Sequence, residues 1–128
     1  MPSTLVAYEL GLRAAEVGFD WKTADDVLEK VEEEIREIRH ELRTRTEADT
    51  TLALPSRLEE EVGDLLFSVA NLARFARSDP ETCLRKANQK FIRRFQALER
   101  EVAAQGKKLQ ECSLEEMESL WNELKSKE

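Results

Sequence analysis

Residues Thr23–Arg43 read TADDVLEKVEEEIREIRHELR, and this stretch decides the fold. Its apolar residues Leu28, Val31, Ile35, Ile38 and Leu42 recur at steps of three and four. That spacing gathers side chains on one face of an α-helix, whereas a half-buried strand alternates with a period of two. Thr23 is placed to cap the helix, with Asp26 three residues on as a weak capping box. At about 100° per residue, Lys30, Glu34, Glu37 and Glu41 form a strip along the border of the apolar face, and Glu33 turns toward solvent.

The same punctuation recurs on both sides. Upstream, Ser3 opens a first helix that ends near Val17, with Gly18 as its stop. Downstream, Thr44–Pro55 (TRTEADTTLALP) carries no helical stripe and is the one clear linker. Ser56 and Glu59 form a capping box for a third helix that reaches about Arg77. Asp79 and Pro80 start a fourth, with proline at the first helical position, and Gly106 ends it. Ser113 and Glu116 open a short fifth helix that runs to about Lys125. The reading is all-α: about five helices in a single domain, residues 1–128. On helix three, Leu58, Val62, Leu65, Val69 and Leu72 share one face, while Gly63, Phe67 and Ala70 lie nearly opposite. A helix apolar on two sides is buried between neighbours, and in so small a chain the second neighbour is expected in another subunit.

Composition narrows the function. The chain has 128 residues, 37% of them charged, and a formal charge of −7. An acidic protein is a poor ligand for nucleic acids or anionic membranes, so neither is expected as a partner. No apolar stretch is long enough to cross a membrane, and no leader segment is visible at the N-terminus. Cys83 and Cys112 match no paired motif, which predicts a reduced, cytoplasmic protein. With one histidine, His40, zinc and histidine-rich iron sites lack ligands. Four glycines form neither a dinucleotide fingerprint nor a P-loop.

The remaining chemistry is carboxylate chemistry. On helix three, Glu61 sits at the edge of the apolar face and Asp64 lies beside it. Two i,i+3 pairs, Glu34/Glu37 and Glu61/Asp64, thus flank the apolar faces of two helices expected to be antiparallel neighbours. Convergence of four carboxylates would raise their pKa values unless a cation joined them. Ligands of oxygen alone favour a hard ion, Mg²⁺ or Mn²⁺, over Zn²⁺. The competing reading is a solvated acidic face, since the chain carries 27 acidic residues. Helix four has the opposite sign, with six basic residues and one acidic between Arg85 and Arg100. There Lys90 and Arg94, at i,i+4, suit either salt bridges within the protein or phosphate binding. Trp121 shares its helix with Leu114, Met117, Leu120 and Leu124, which suits a core position or a stacking platform.

Four blocks carry a resemblance. They are Gly18-Phe19-Asp20-Trp21, Lys30 to Glu37 (KVEEEIRE), Glu59 to Phe67 (EEEVGDLLF), and Lys86 to Phe91 (KANQKF) followed by Arg93-Arg94-Phe95. Together the chain resembles the MazG nucleoside triphosphate pyrophosphohydrolases, most closely the C-terminal catalytic domain of the two-domain members. The pattern Glu33-Glu34-x-x-Glu37, spacer, Glu61-x-x-Asp64 is similar to that family's metal signature. The resemblance implies an all-α homodimer that, with Mg²⁺ (or Mn²⁺ as substitute), hydrolyses nucleoside triphosphates to monophosphate and pyrophosphate, with nucleotide-pool house-cleaning as its role. It implies Glu34, Glu37, Glu61 and Asp64 as metal ligands; for the mechanism that follows, a neighbouring glutamate, Glu33 or Glu41, is the candidate to orient the water. It implies Lys90 and Arg94 as triphosphate contacts, with Lys30 and Asn88 as further candidates. Trp121 and Lys125 are implied as base or phosphate contacts. Related all-α enzymes act on dUTP, dCTP or phosphoribosyl-ATP, and a non-catalytic helical dimerisation module is the remaining alternative.

Overall fold

The computed structural model describes residues 1–44 and 55–128. Regular structure among them is helical: α1 (Ser3–Glu16), α2 (Ala24–Thr44), α3 (Pro55–Phe75), α4 (Pro80–Ala104) and α5 (Leu114–Ser126). A single 3-10 turn, Leu109–Glu111, precedes α5. The expected all-α class with five helices is met. The expected linker lies, apart from its end residues Thr44 and Pro55, outside the described residues. No helix among the described residues is long and apolar enough to cross a membrane.

Three of the expected helix starts are built as the sequence indicates. The Thr23 hydroxyl accepts the Asp26 N–H at 3.2 Å. Asp79 accepts the Thr82 N–H at 2.8 Å ahead of Pro80. Ser113 and Glu116 form a reciprocal capping box. Each satisfies backbone donors that the first helical turn leaves without partners. Two starts differ. Pro2 holds the cap position of α1, with Ser3 already helical. Likewise α3 begins at Pro55, so Ser56 lies inside the helix. Proline takes the start in both cases because its fixed φ fits the boundary and no N–H is wasted there. At its other end α3 stops at Phe75, two residues short of Arg77, which turns the chain with φ 55°.

The described residues gather into two compact units, 1–83 and 84–128, with the division inside α4. In the first unit α3 packs against both α1 and α2. Gly11 of α1 meets Asn71 of α3 so closely that a Cβ there would lie 1.7 Å from the Asn71 side-chain oxygen. Asn71 is fully buried, and its amide donates to the Ala7 and Phe67 carbonyls. Val27, Ala70 and Ala73 are the buried apolar residues of this unit. In the second unit Leu98 and Val102 are buried. Phe91 stacks on Phe95 at 5.7 Å and lies 5.3 Å from Trp121.

The buried face of α3 is not the apolar stripe that its periodicity suggests. Ser68, Ala70, Asn71 and Ala73 are buried, while Val62, Leu66 and Val69 remain 40, 55 and 46% exposed. Small and polar side chains let α1 approach closely. The larger apolar ones are left open.

Candidate functional site

The site begins with the register of α2 against α3. Arg57 pairs with Glu41, Glu61 stands beside Glu37, and Glu34 meets Glu61 and Asp64. Residue numbers therefore fall along α2 as they rise along α3, so the two helices run antiparallel. Each of these residues lies three or four positions from the next on its own helix, which keeps them on facing strips.

One carboxylate oxygen each from Glu34, Glu61 and Asp64 lies within 4.8 Å of the others. Glu34 is buried, Glu61 half-buried and Asp64 exposed, so the group opens to solvent on the Asp64 side. Lys30 approaches from the same strip of α2, with its ammonium 3.1 Å from Glu34 Oε1 and 3.3 Å from Glu33 Oε2. Its hydrogen bond to Glu34 holds the Lys30 pKa above the usual lysine range. The second oxygens, Oε2 of Glu34 and Oε2 of Glu61, are buried without a hydrogen-bond partner. Glu61 is held above the ordinary carboxylate range, first by a hydrogen bond with the Glu37 carboxyl, then by burial and the charges of Glu37, Glu34 and Asp64. Like charges this close disfavour the ionised form.

These features fit a divalent cation. Buried carboxylate oxygens without donors are costly unless a cation or a proton takes them. The donor set is oxygen alone, as Mg²⁺ and Mn²⁺ prefer. Glu37 contacts Glu61 from outside the three-oxygen group. Glu33 lies on the solvent side, its side chain 47% exposed and paired with Lys30. Glu41 is occupied by Arg57 at 3.3 Å.

One cavity adjoins this group, and a second lies farther along α3. Toward the start of the helix, a polar cavity of about 500 Å³ is lined by Glu33, Glu37, Glu41 and Glu61 together with Arg36, His40 and Arg57. Past Asp64, an apolar cavity of about 320 Å³ lies among Leu10, Phe19, Trp21, Phe67 and Arg74. There the Arg74 guanidinium forks onto Asp20, at 2.8 and 3.1 Å, and its Nε donates to Asn71. This pair holds the Asp20 pKa below the usual range, its hydrogen bond from Arg74 first. Sequence reasoning singled out neither Arg57 nor Arg74. The only signal for the Asn71 contact was a polar residue interrupting an apolar run.

The remaining candidates belong to the second unit. Arg94 lies over the Trp121 ring, 5.7 Å from its centroid. Its guanidinium grips Glu128, with Nε to Oε1 at 2.7 Å, which raises the Arg94 pKa. Trp121 is half-buried rather than a core residue. Asn88, Lys90 and Lys125 are exposed.

Comparison with known proteins adds a further set of findings. A family model described as the MazG nucleotide pyrophosphohydrolase domain matches residues 22–98. Over all 128 residues the chain is 43% identical to a protein of Escherichia coli strain K12 named nucleoside triphosphate pyrophosphohydrolase, covering 46% of it. It is 41% identical over 125 residues, 98% of the chain, to a Thermotoga maritima protein named nucleoside triphosphate pyrophosphohydrolase/pyrophosphatase MazG, covering 45% of that protein. A 71-residue stretch, 56% of the chain, is 45% identical to 14% of the uncharacterized protein YabN of Bacillus subtilis. The chain thus spans about half the length of the first two relatives.

Proposed function

The chain belongs to the MazG nucleotide pyrophosphohydrolase domain family, and from that premise we propose that it hydrolyses nucleoside triphosphates, ribo- or deoxyribo-, to the monophosphate and pyrophosphate with Mg²⁺. The observation that carries this reading is the convergence of Glu34, Glu61 and Asp64 within 4.8 Å, with two buried carboxylate oxygens unpartnered. Glu34, Glu61 and Asp64, with Glu37 behind Glu61, are the residues that would hold the ion. When bound, such an ion offsets charge on phosphate oxygens and eases deprotonation of a water. Lys30 fixes the Glu34 carboxylate by holding one of its oxygens. Glu33 and Glu41 are the carboxylates next to this group from which a water could be oriented.

In the second unit, the resemblance assigns Lys90 and Arg94, with Asn88, Trp121 and Lys125, to the substrate. What supports it for Arg94 is the planar fork already closed on a carboxylate, a geometry that also suits phosphate oxygens. Clearing unwanted nucleotides is the role this activity would serve. A homodimer is part of the reading, supported by the open apolar side chains of α3.

The test is a panel of ribo-, deoxyribo- and modified triphosphates, including dUTP, dCTP and phosphoribosyl-ATP, assayed for pyrophosphate with Mg²⁺ and with chelator. Release that depends on Mg²⁺ and is lost in Glu61→Gln is expected. A folded chain that releases no pyrophosphate from any of them would instead be a non-catalytic helical dimerisation module.

A further inference from the structure

Trp121, Lys125 and Glu128 follow one another at steps of four and three, which places them on one side of α5 and of the turn after it. That side meets α4. Phe91 lies 5.3 Å from the Trp121 ring, and the Arg94 guanidinium lies 5.7 Å from its centroid. Arg94 and Trp121, both assigned above to the substrate, thus stand together. Glu128, which has no role in the reading above, is already bound to one of them.

This contact differs from the Lys107–Glu116 pair of the same unit, a single contact at 3.4 Å between side chains about half exposed. Arg94 closes a planar fork on Glu128. Its Nε donates to Oε1 at 2.7 Å and its Nη2 donates to Oε2, so both carboxylate oxygens are held. The Arg94 side chain is 12% exposed. The hydrogen bond from Arg94 is the main cause that keeps the Glu128 pKa below the ordinary carboxylate range, and the charges of Arg93 and Lys90 act in the same sense. Three cations of α4 therefore converge on one carboxylate. A guanidinium fork of this kind serves phosphate oxygens equally well, but its Nε–Nη2 edge cannot hold both anions at once. Glu128 can also leave at low cost. It stands past the last turn of α5, beyond the C-cap Lys127, and helix ends open locally with little free energy.

We propose that Glu128 is a built-in competitor for Arg94: its carboxylate closes the fork in the absence of phosphate and must be displaced before a substrate phosphate can use it. The inference rests on the proposed activity, in which Arg94 contacts the triphosphate, and adds the regulation of that contact. A phosphate displaces the carboxylate because it carries more charge and a third oxygen for the cations of α4. The closed fraction lowers the affinity of every anion that takes the fork by one common factor. Pyrophosphate product is weakened as much as substrate, so the fork recloses as product leaves.

The experiment compares the parent with Glu128→Gln and with Glu123→Gln. Both substitutions remove one negative charge from the last part of the chain, but only the first opens the fork. Calorimetry with Mg²⁺ measures binding of a non-hydrolysable nucleoside triphosphate and of inorganic pyrophosphate, with melting temperatures as the check on folding. Glu128→Gln is expected to tighten both by the same factor, about three- to tenfold. Glu123→Gln should change neither by as much as twofold. The nitrogen-15 resonance of the Arg94 Nε–H, identified by its loss in Arg94→Lys, supplies a second readout. It should move in Glu128→Gln, and in the parent when pyrophosphate is added. Weaker or unchanged binding in Glu128→Gln would make Glu128 a support for Arg94 and overturn the proposal. Equal gains in the two variants would reduce the effect to net charge and overturn it as well. A parent that releases no pyrophosphate from any triphosphate would count against the proposed activity, while the pyrophosphate calorimetry would still decide whether Glu128 yields to an anion.

Discussion

At the scale of single residues, the structure separates two kinds of carboxylate. Asp20 is satisfied by a guanidinium, whereas Glu34 and Glu61 each keep a buried oxygen without a donor. That difference gives opposite expectations for neutralising substitutions. Glu61→Gln removes like-charge repulsion, so in chelator it should melt at a higher temperature than the parent. With Mg²⁺ the order should reverse, because only the parent gains the full stabilisation of a bound ion. The same substitution should lower turnover of triphosphates about a hundredfold or more, the several kcal/mol such an ion supplies. A melt in chelator and in Mg²⁺, beside a pyrophosphate assay, checks both. Asp20 behaves in the other sense. Its folded pKa lies below the ordinary aspartate range, so the folded state binds fewer protons than the unfolded one. Its contribution is complete above the ordinary carboxylate range and is lost as pH falls through the lowered value. Arg74→Ala should therefore destabilise near neutrality and flatten the acid limb of a denaturant-midpoint profile. An acid limb that keeps the parent's shape would sever this pair from acid stability.

Among the helices, close approach and capping carry the specific energetics. Gly11 is required by contact, since any Cβ would strike the Asn71 amide. Gly11→Ala should cost about 1–3 kcal/mol, the usual penalty of overpacking. Ser113→Ala should cost about 1 kcal/mol by breaking the α5 capping box. Denaturant titrations measure both, and a Gly11→Ala variant as stable as the parent would mean that α1 and α3 can separate freely. At this scale the sequence was most legible. The three- and four-residue steps of α2 and the signals at Thr23, Asp79 and Ser113 report local physics that the chain fixes alone. The start of α1 lies one residue, and that of α3 two residues, before the position the serine caps indicate, because proline competes with serine for the boundary. The buried face of α3 was not legible. Hydrophobicity marks what a helix prefers to bury, and the close packing of small side chains with Asn71 overrode it.

Across the whole molecule, the apolar side chains left open on α3 bear on assembly. Val62, Leu66 and Val69 stand exposed, and a contiguous apolar surface in a folded chain usually marks an interface. Leu66→Glu is expected to shift the chain toward monomer in sedimentation equilibrium without unfolding it. A parent that is already monomeric at high concentration would contradict the dimer. The candidate site was legible in part. Spacing on two helices gave Glu34, Glu61 and Asp64, because an antiparallel pair turns facing strips into a cluster. It could not give the Arg57–Glu41 pair or the polar cavity, since those depend on the register between helices and not on either helix alone. The claim beneath the whole account is that side chains of α2 and α3 share one hard cation. Electron paramagnetic resonance of free Mn²⁺, titrated into the parent and into Glu34→Gln/Glu61→Gln without nucleotide, tests it most directly. The parent is expected to deplete the free signal and the double variant is not. Equal signals from the two proteins would contradict it.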